Sequence, residues 1–193
     1  MRSYLLACVF IVGMCCLVGC STAPKSVEAR EELATKAEAA LAAAKGTDPG
    51  LQRFFDTAAG YAVFPTVGKG AVGVGGAYGR GLLYQNGQPV GYCSLTQASV
   101  GLALGGQSYT ELIFFEDQEA LDRFKSGNYA FAAQASAVAL RSGASANAEY
   151  ADGVAVFTMG EAGLMVEASV GGQKFAFEPI PGGEQATYQA TEQ

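Results

Sequence analysis

One stretch of the sequence, residues 61–84 (YAVFPTVGKGAVGVGGAYGRGLLY), strongly limits what the chain can fold into. Alternate residues of a strand point to opposite faces, so from Ala71 to Gly81 one face would carry only Ala and Gly. Glycine inside a strand costs backbone entropy and marks a bend or the close approach of another group. We therefore expect a bulky group against this bare face. A helix of the same chain is the interpretation we favour, and an acyl chain is the alternative.

The same stretch contains Gly68, Gly70 and Gly73, which fit the G-x-G-x-x-G pattern of dinucleotide-binding sites. That pattern binds pyrophosphate only when a helix begins at the glycines and directs its N-terminus at the ligand. Here the following residues keep the period-two spacing of a strand, and no acidic residue follows about twenty positions on. We reject nucleotide binding at this position.

The composition argues for one folded domain without catalytic machinery. The chain has 193 residues, 50% of them hydrophobic, and contains neither His nor Trp. The lack of His removes the commonest general base and metal ligand, and the adjacent acids Glu116 and Asp117 fit a helix start better than an acid/base pair. We therefore expect no enzyme activity, no cofactor and no metal. The 18 acidic against 12 basic residues also make nucleic acid a poor partner.

Residues 1–20, MRSYLLACVFIVGMCCLVGC, have the basic start and apolar run of a secretory signal peptide. The last four, Leu17 to Cys20, resemble the lipobox of bacterial lipoproteins, in which the cysteine is acylated and becomes the new N-terminus. The alternative is an uncleaved anchor with a chance cysteine. The resemblance implies a lipid-anchored, palmitate-bearing envelope protein, and Ser21 after the cysteine favours the outer membrane, facing the periplasm. Removal of the signal peptide leaves 11 basic against 18 acidic residues, a net charge of −7.

The cysteines divide cleanly between the signal peptide and the folded part. Cys8, Cys15 and Cys16 leave with the signal peptide, and Cys20 would carry the lipid. Cys93 is then the one thiol of the folded part, so it has no partner for an internal disulfide. Because no base is available to activate it, we interpret Cys93 as a small buried hydrophobic residue rather than a nucleophile.

Two helices are predicted early in the mature chain, after a polar tether at residues 21–26. The first, residues 27–45, is rich in Ala and has acidic residues near its start, as the helix dipole favours. Asp48 is a capping signal for a second helix that runs to Gly60. Its aromatic stripe, centred on Phe54, is a natural partner for the bare face.

The rest of the domain is predicted to consist mainly of strands. Asn86-Gly87 is a type I′ turn signal that closes a hairpin, and three more strands are expected within residues 153–177. A short helix at 117–125 interrupts the strands, and residues 129–140 fit either a strand or a helix. The predicted fold class is α+β: a strongly bent antiparallel sheet of about eight strands, approaching a barrel, packed with two N-terminal helices and one short later helix.

Several short motifs occur in the order and spacing of the SYLF domain family. They are Gly60-Tyr61-Ala62-Val63-Phe64-Pro65, Lys69, Gly75-Gly76, Tyr78-Gly79-Arg80-Gly81, Gly101-Leu102-Ala103-Leu104-Gly105-Gly106-Gln107, the strand at Phe114 and Ala120-Leu121-Asp122-Arg123-Phe124. The sequence resembles this family over residues 45–180. The resemblance implies a binding protein rather than an enzyme, since eukaryotic members bind phosphoinositides and some bind actin. In a bacterial envelope, the ligand it implies is an anionic phospholipid.

Cations near the glycine-rich strands are the candidate headgroup ligands. Lys69 and Arg80 bracket these strands, and glycine-rich turns expose backbone N–H groups that favour anions. Arg53 and Lys174 would join them if the sheet curls round. The full candidate lipid-binding set is Lys69, Arg80, Arg53, Lys174, Gly73, Gly75, Gly76 and Tyr78. The alternative is a solvated surface position for each cation and core packing for Tyr78.

The sequence thus predicts a signal peptide (1–20), a tether (21–26), an N-terminal helix (27–45), a SYLF-like domain (46–180) and a frayed tail (181–193). Our first hypothesis is a membrane-anchored envelope lipoprotein, attached through Cys20, whose domain binds anionic phospholipid without catalysis. The second is a structural component of the envelope that engages another protein or itself.

Overall fold

The computed structural model describes residues 22–127, 130–131 and 137–181. The predicted signal peptide with Cys20, and the predicted tail beyond residue 181, lie outside the described residues. The helices are α1 (Val27–Thr47), α2 (Gln52–Thr57) and α3 (Gln118–Lys125), with 3-10 turns at Pro49–Leu51 and Ala144–Asn147. The strands are β1 (Gly60–Gln85), β2 (Gln88–Phe115), β3 (Ala130–Phe131), β4 (Val138–Ala139) and β5 (Val154–Pro179).

The five described strands form one sheet in the order β1-β2-β5-β3, and β4 pairs separately with β5. The three long strands are antiparallel neighbours, so that rows such as Ala77–Gln97–Gln173 run across them. This confirms the predicted α+β class with a bent sheet, which is antiparallel except that β4 pairs with β5 in parallel. The described strands number five rather than about eight because the expected breaks lie inside continuous strands of 26 to 28 residues. Such strands bend at register shifts instead, for example between Val72 and Val74.

The long strands double over on themselves. Fully extended, the 26 residues of β1 would span about 85 Å. Instead its first residues lie against its last ones, with the rings of Tyr61 and Tyr84 stacked 5.1 Å apart. Phe64 likewise lies 5.8 Å from Phe175, although the two are paired with different halves of β2. The sheet therefore has an inner face, the concave side that carries Phe64 and Phe175, and an outer face opposite to it.

The Ala/Gly face predicted on β1 belongs to this inner face, and the same strand fills it. A Cβ atom added to Gly81 would clash with the carbonyl oxygen of Val63, and one added to Gly79 would lie 2.9 Å from Cγ2 of Val67. Glycine is therefore required because two parts of one strand pass this closely. At Gly79 and Gly81 the doubled strand, and not a helix as predicted, occupies the space beside the bare face.

None of the three described helices fills the space beside Gly79 and Gly81. α1 covers the outer face of β1 at Leu82 and Tyr84. In α2, Phe54 lies 5.4 Å from the ring of Phe114, so its aromatic stripe meets β2 and β5 rather than the bare face. α3 contributes Phe124 to the core of the inner face. Among the described residues, no helix has the length and apolar character required to cross a bilayer.

The predicted caps Asp48 and Asp117 and the predicted hairpin turn are confirmed, and Ser26 caps α1 in addition. The side chains of Ser26, Asp48 and Asp117 each accept a hydrogen bond from a backbone N–H group two or three residues later. The second predicted helix begins at the expected cap, but as a 3-10 turn that leads into the short α2. Asn86 and Gly87 both have positive φ, 50° and 75°, as a type I′ hairpin turn requires.

The chain directly before α1 is attached to the far end of the sheet. Thr22, Ala23 and Pro24 are buried, and the N–H group of Ala23 donates to Oε2 of Glu178 at 3.0 Å. Arg30 donates from Nε to the carbonyl oxygen of Pro24 at 2.9 Å. Within the tether predicted at residues 21–26, residues 22–24 are therefore held against the domain.

Candidate functional site

The middle of the long strands presents an exposed apolar surface on the outer face. Val72, Val74 and Leu104 are 81%, 68% and 66% exposed, and Tyr78 is 50% exposed. Val72 and Leu104 are directly paired across β1 and β2, so their side chains are neighbours. We call these four residues the apolar patch. A contiguous group of exposed large apolar side chains marks a surface that contacts lipid or protein.

The doubling of β1 explains why these residues face outward. A strand that covers a core normally places its large side chains inside. Here the inner side is too crowded, because a Cβ atom on Gly75 would lie 2.9 Å from that of Ala71. Gly76 is exposed on the outer face, and Gly73 lies in β1 between the two exposed valines. Small inner residues therefore leave the larger side chains of this segment on the solvent side.

Two of the predicted cations border the apolar patch. Arg80 follows Tyr78 by two residues on the same face, and its guanidinium carbon is 5.9 Å from the centre of that ring. Lys174 lies in one row with Thr96 and Tyr78, which places its Cα about 10 Å from that of Tyr78, two strand spacings away. Both cations are exposed. The outer face can thus bury apolar groups and pair an anion at the same place.

The other two predicted cations lie elsewhere. Lys69 is on the inner face and only 5% exposed, so it does not share a surface with Arg80. Arg53 lies on α2, where its guanidinium group donates to the carbonyl oxygens of Ser145 and Ala148. Arg53 therefore holds the second 3-10 turn against α2, and the structure does not bring it to the apolar patch.

The inner face contains a second feature, a cluster of buried polar side chains beside the core. Gln97, Ser99, Glu111 and Gln173 are each 1 to 3% exposed. Gln97 and Gln173 are paired across β2 and β5, and Nε2 of Gln173 donates to Oε2 of Glu111 at 3.1 Å. Glu111 and Gln97 belong to different halves of β2 and meet because the sheet doubles over. We call these four residues the polar cluster.

Burial changes the titration of groups on the inner face. It raises the pKa of Glu111 from 4.5 to about 7, and the hydrogen bond from Gln173 lowers it only in part. The carboxyl group is therefore shared between its protonated and ionised forms near neutral pH. Burial also raises the pKa of the Cys93 thiol well above its ordinary value, and the predicted buried position of Cys93 is confirmed.

Sequence reasoning missed the polar cluster and most of the apolar patch. Glu111 had one signal, because it is an acidic residue that directly precedes the apolar run Leu112–Phe115. Gln97 and Gln173 had none, since glutamines in alternating strands are ordinarily solvent-facing. The described residues contain no group of three or more His, Cys, Asp or Glu side chains that could hold a metal ion.

These observations define an α+β domain built on a doubled antiparallel sheet, with an exposed surface suited to binding. Residues 96–179 match Ysc84, the family model of the SYLF domain, which is described as Las17-binding protein actin regulator. The chain is also 30% identical over 158 residues to Beta cell expansion factor A of Aeromonas veronii. That alignment covers 79% of this chain and 59% of the relative's length.

The protein is thus a SYLF-domain protein, as its motifs predicted. The description of this family model names a binding protein and an actin regulator. The chain spans 59% of the length of the curated relative that it matches. The particular ligand has to be argued from the surface of this chain.

Proposed function

We propose that this protein is an envelope lipoprotein, anchored through Cys20 in the outer membrane and facing the periplasm, whose SYLF domain binds anionic phospholipid. The lipobox at Leu17–Cys20 supports the anchor. The observation that carries the binding function is the apolar patch with Arg80 and Lys174 at its border. Apolar side chains can enter the headgroup and acyl boundary while adjacent cations contact phosphate.

Charge complementarity favours anionic lipid as the occupant of this surface. The mature chain has a net charge of −7, so its overall field repels an anionic membrane. Attraction must therefore come from a local group of cations, and Arg80 and Lys174 form such a group beside exposed apolar side chains. Each cation close to an anionic surface contributes about 1 kcal/mol. Each fully buried Val or Leu side chain contributes about 1.5–3 kcal/mol.

The test is liposome flotation of the mature chain with Cys20→Ala, so that only the domain can hold the membrane. Vesicles of phosphatidylethanolamine with phosphatidylglycerol should retain the protein better than vesicles of phosphatidylcholine alone. A Val72→Asp/Leu104→Asp double variant should bind at least about tenfold more weakly, because two apolar contacts are lost. An Arg80→Glu/Lys174→Glu variant should lose the preference for phosphatidylglycerol.

Matched controls come from exposed residues outside the patch. Val27 on α1 is 62% exposed, and Arg141 is an exposed cation in the segment after β4. Val27→Asp and Arg141→Glu should therefore leave flotation unchanged. Equal loss in the control and patch variants, or unchanged binding by both patch variants, would overturn the assignment of this surface. A lipid-independent oligomer that dissociates in the Val72→Asp/Leu104→Asp variant would instead support an interface with another protein copy.

A further inference from the structure

The polar cluster presents several hydrogen-bonding atoms that no protein group satisfies. Oε1 of Glu111, Oε1 of Gln173, both amide atoms of Gln97 and Oγ of Ser99 are buried without a hydrogen-bond partner. Buried polar atoms are nearly always paired, because leaving them unpaired loses their hydration without compensation. Five such atoms in one cluster therefore indicate a binding site for an ion or small molecule that would satisfy them.

The chemistry of the unpaired atoms restricts the guest. Four of them are oxygens from a carboxylate, two amides and a hydroxyl group, and oxygen ligands of this kind suit hard cations. Two links hold the cluster together: Gln97 and Gln173 pair across neighbouring strands, and Gln173 bonds to Glu111 across the fold. The oxygens are thus gathered by the sheet itself and not by a flexible loop.

Charge balance restricts the guest further. Glu111 is the one acidic residue among the four, so the ionised cluster carries a single negative charge. Lys69 lies on the same inner face but pairs with Gln107, four residues from Glu111 along β2, which separates them by about 13 Å along the strand. A buried charge requires a counter-charge close by. A monovalent cation would make the cluster neutral, whereas a divalent cation would leave an uncompensated positive charge.

We infer that Glu111, Gln97, Gln173 and Ser99 form a binding site for a monovalent alkali cation, Na⁺ or K⁺, inside the doubled sheet. This site is independent of the apolar patch and of the proposed phospholipid binding. It joins β5 and both halves of β2, so an occupied site stabilises the doubled form of the sheet. The cation competes with the proton for the carboxylate, and its binding strengthens as the pH rises.

The test is thermal unfolding of the mature chain with Cys20→Ala at pH 8, in NaCl, KCl or choline chloride at equal ionic strength. Choline is too large to enter the cluster, so it reports general screening alone. The unfolding temperature should rise with Na⁺ or K⁺ and level off, by about 3–5 °C at ten times the dissociation constant. In the same salts, the carboxyl ¹³C resonance of Glu111 should titrate at lower pH than in choline.

Three variants separate the site from general salt effects. Glu111→Gln removes the charge while keeping the side-chain shape, and it should abolish the difference between the salts. Ser99→Ala removes one oxygen and should weaken the cation dependence at least severalfold. Glu149→Gln, at an exposed position, should retain the full effect. Identical unfolding temperatures in all three salts, or a cation effect that persists in Glu111→Gln, would each overturn the inference.

Discussion

Replacing Glu111 by glutamine should stabilise this protein, and only at pH values where the carboxyl group is forced to ionise. The side chain is 1% exposed and its described hydrogen bond comes from Gln173. Glutamine has nearly the same shape, and its Oε1 can accept the same hydrogen bond. The substitution therefore removes the ionisable group without opening a cavity.

The expected magnitude follows from the pKa of Glu111. Burial raises that pKa from 4.5 to about 7, and each pH unit of difference corresponds to about 1.4 kcal/mol. Below pH 4.5 the carboxyl group is protonated in both folded and unfolded chains, so it costs no folding free energy. As the pH rises from 4.5 through 7, the unfolded chain ionises more readily, and about 3 kcal/mol of folding free energy is lost. Above about pH 8 the penalty is complete.

Urea unfolding between pH 4.5 and 8.5 is the appropriate assay, followed by far-UV circular dichroism because the chain contains no Trp. Choline salts should be used throughout, so that Na⁺ and K⁺ do not compete with the proton. Glu111→Gln should match the parent protein at pH 4.5 and exceed it by about 3 kcal/mol at pH 8.5. The exposed control Glu149→Gln should follow the parent at every pH. A Glu111→Gln variant whose stability falls with pH as steeply as that of the parent would refute the reasoning.

Two further predictions concern the doubled strand and the aromatic contacts of α2. Gly81→Ala should lower the free energy of unfolding by about 1–3 kcal/mol, because its methyl group would meet the carbonyl of Val63. Gly68→Ala, where an added Cβ has nothing within 4 Å, should lower the free energy of unfolding far less in the same urea titration. Equal losses of stability in the two variants would contradict the close approach of Gly81 to Val63. Phe54→Ala should cost about 3–5 kcal/mol, because the ring is 2% exposed and contacts Phe114. A loss below about 1 kcal/mol would show that this aromatic contact is not part of the core.

Local elements of the fold could be predicted because their causes are local. A helix begins where a side chain caps its first N–H groups, as Asp48 and Asp117 do. The hairpin turn needs two consecutive residues that accept positive φ, and Asn86-Gly87 supplies them. The motif spacing that identified the SYLF family is likewise readable along the chain.

The candidate site could be predicted only in part. Arg80, Lys174 and Tyr78 were found because cations and aromatic residues near a glycine-rich strand are visible in sequence, and the structure places them on one face. Lys69 had the same sequence signal but lies inside. The register shift of β1 between Phe64 and Val67 reverses the alternation, so that both of these residues face inward. The alternation continues unchanged across the second shift, since Val72 and Val74 are both exposed.

The sequence by itself determined that one face of residues 71–81 carries no side chain larger than a methyl group, and therefore that something must approach it closely. Only the tertiary structure decided that the approaching group is β1 itself, with Val63 and Val67 against Gly81 and Gly79. The same doubling brings Glu111 to Gln173. The physical reason is that missing side chains on a strand show how closely another group must pack against it. They do not show which group that is. That identity depends on contacts between residues far apart in the chain, which no local pattern records.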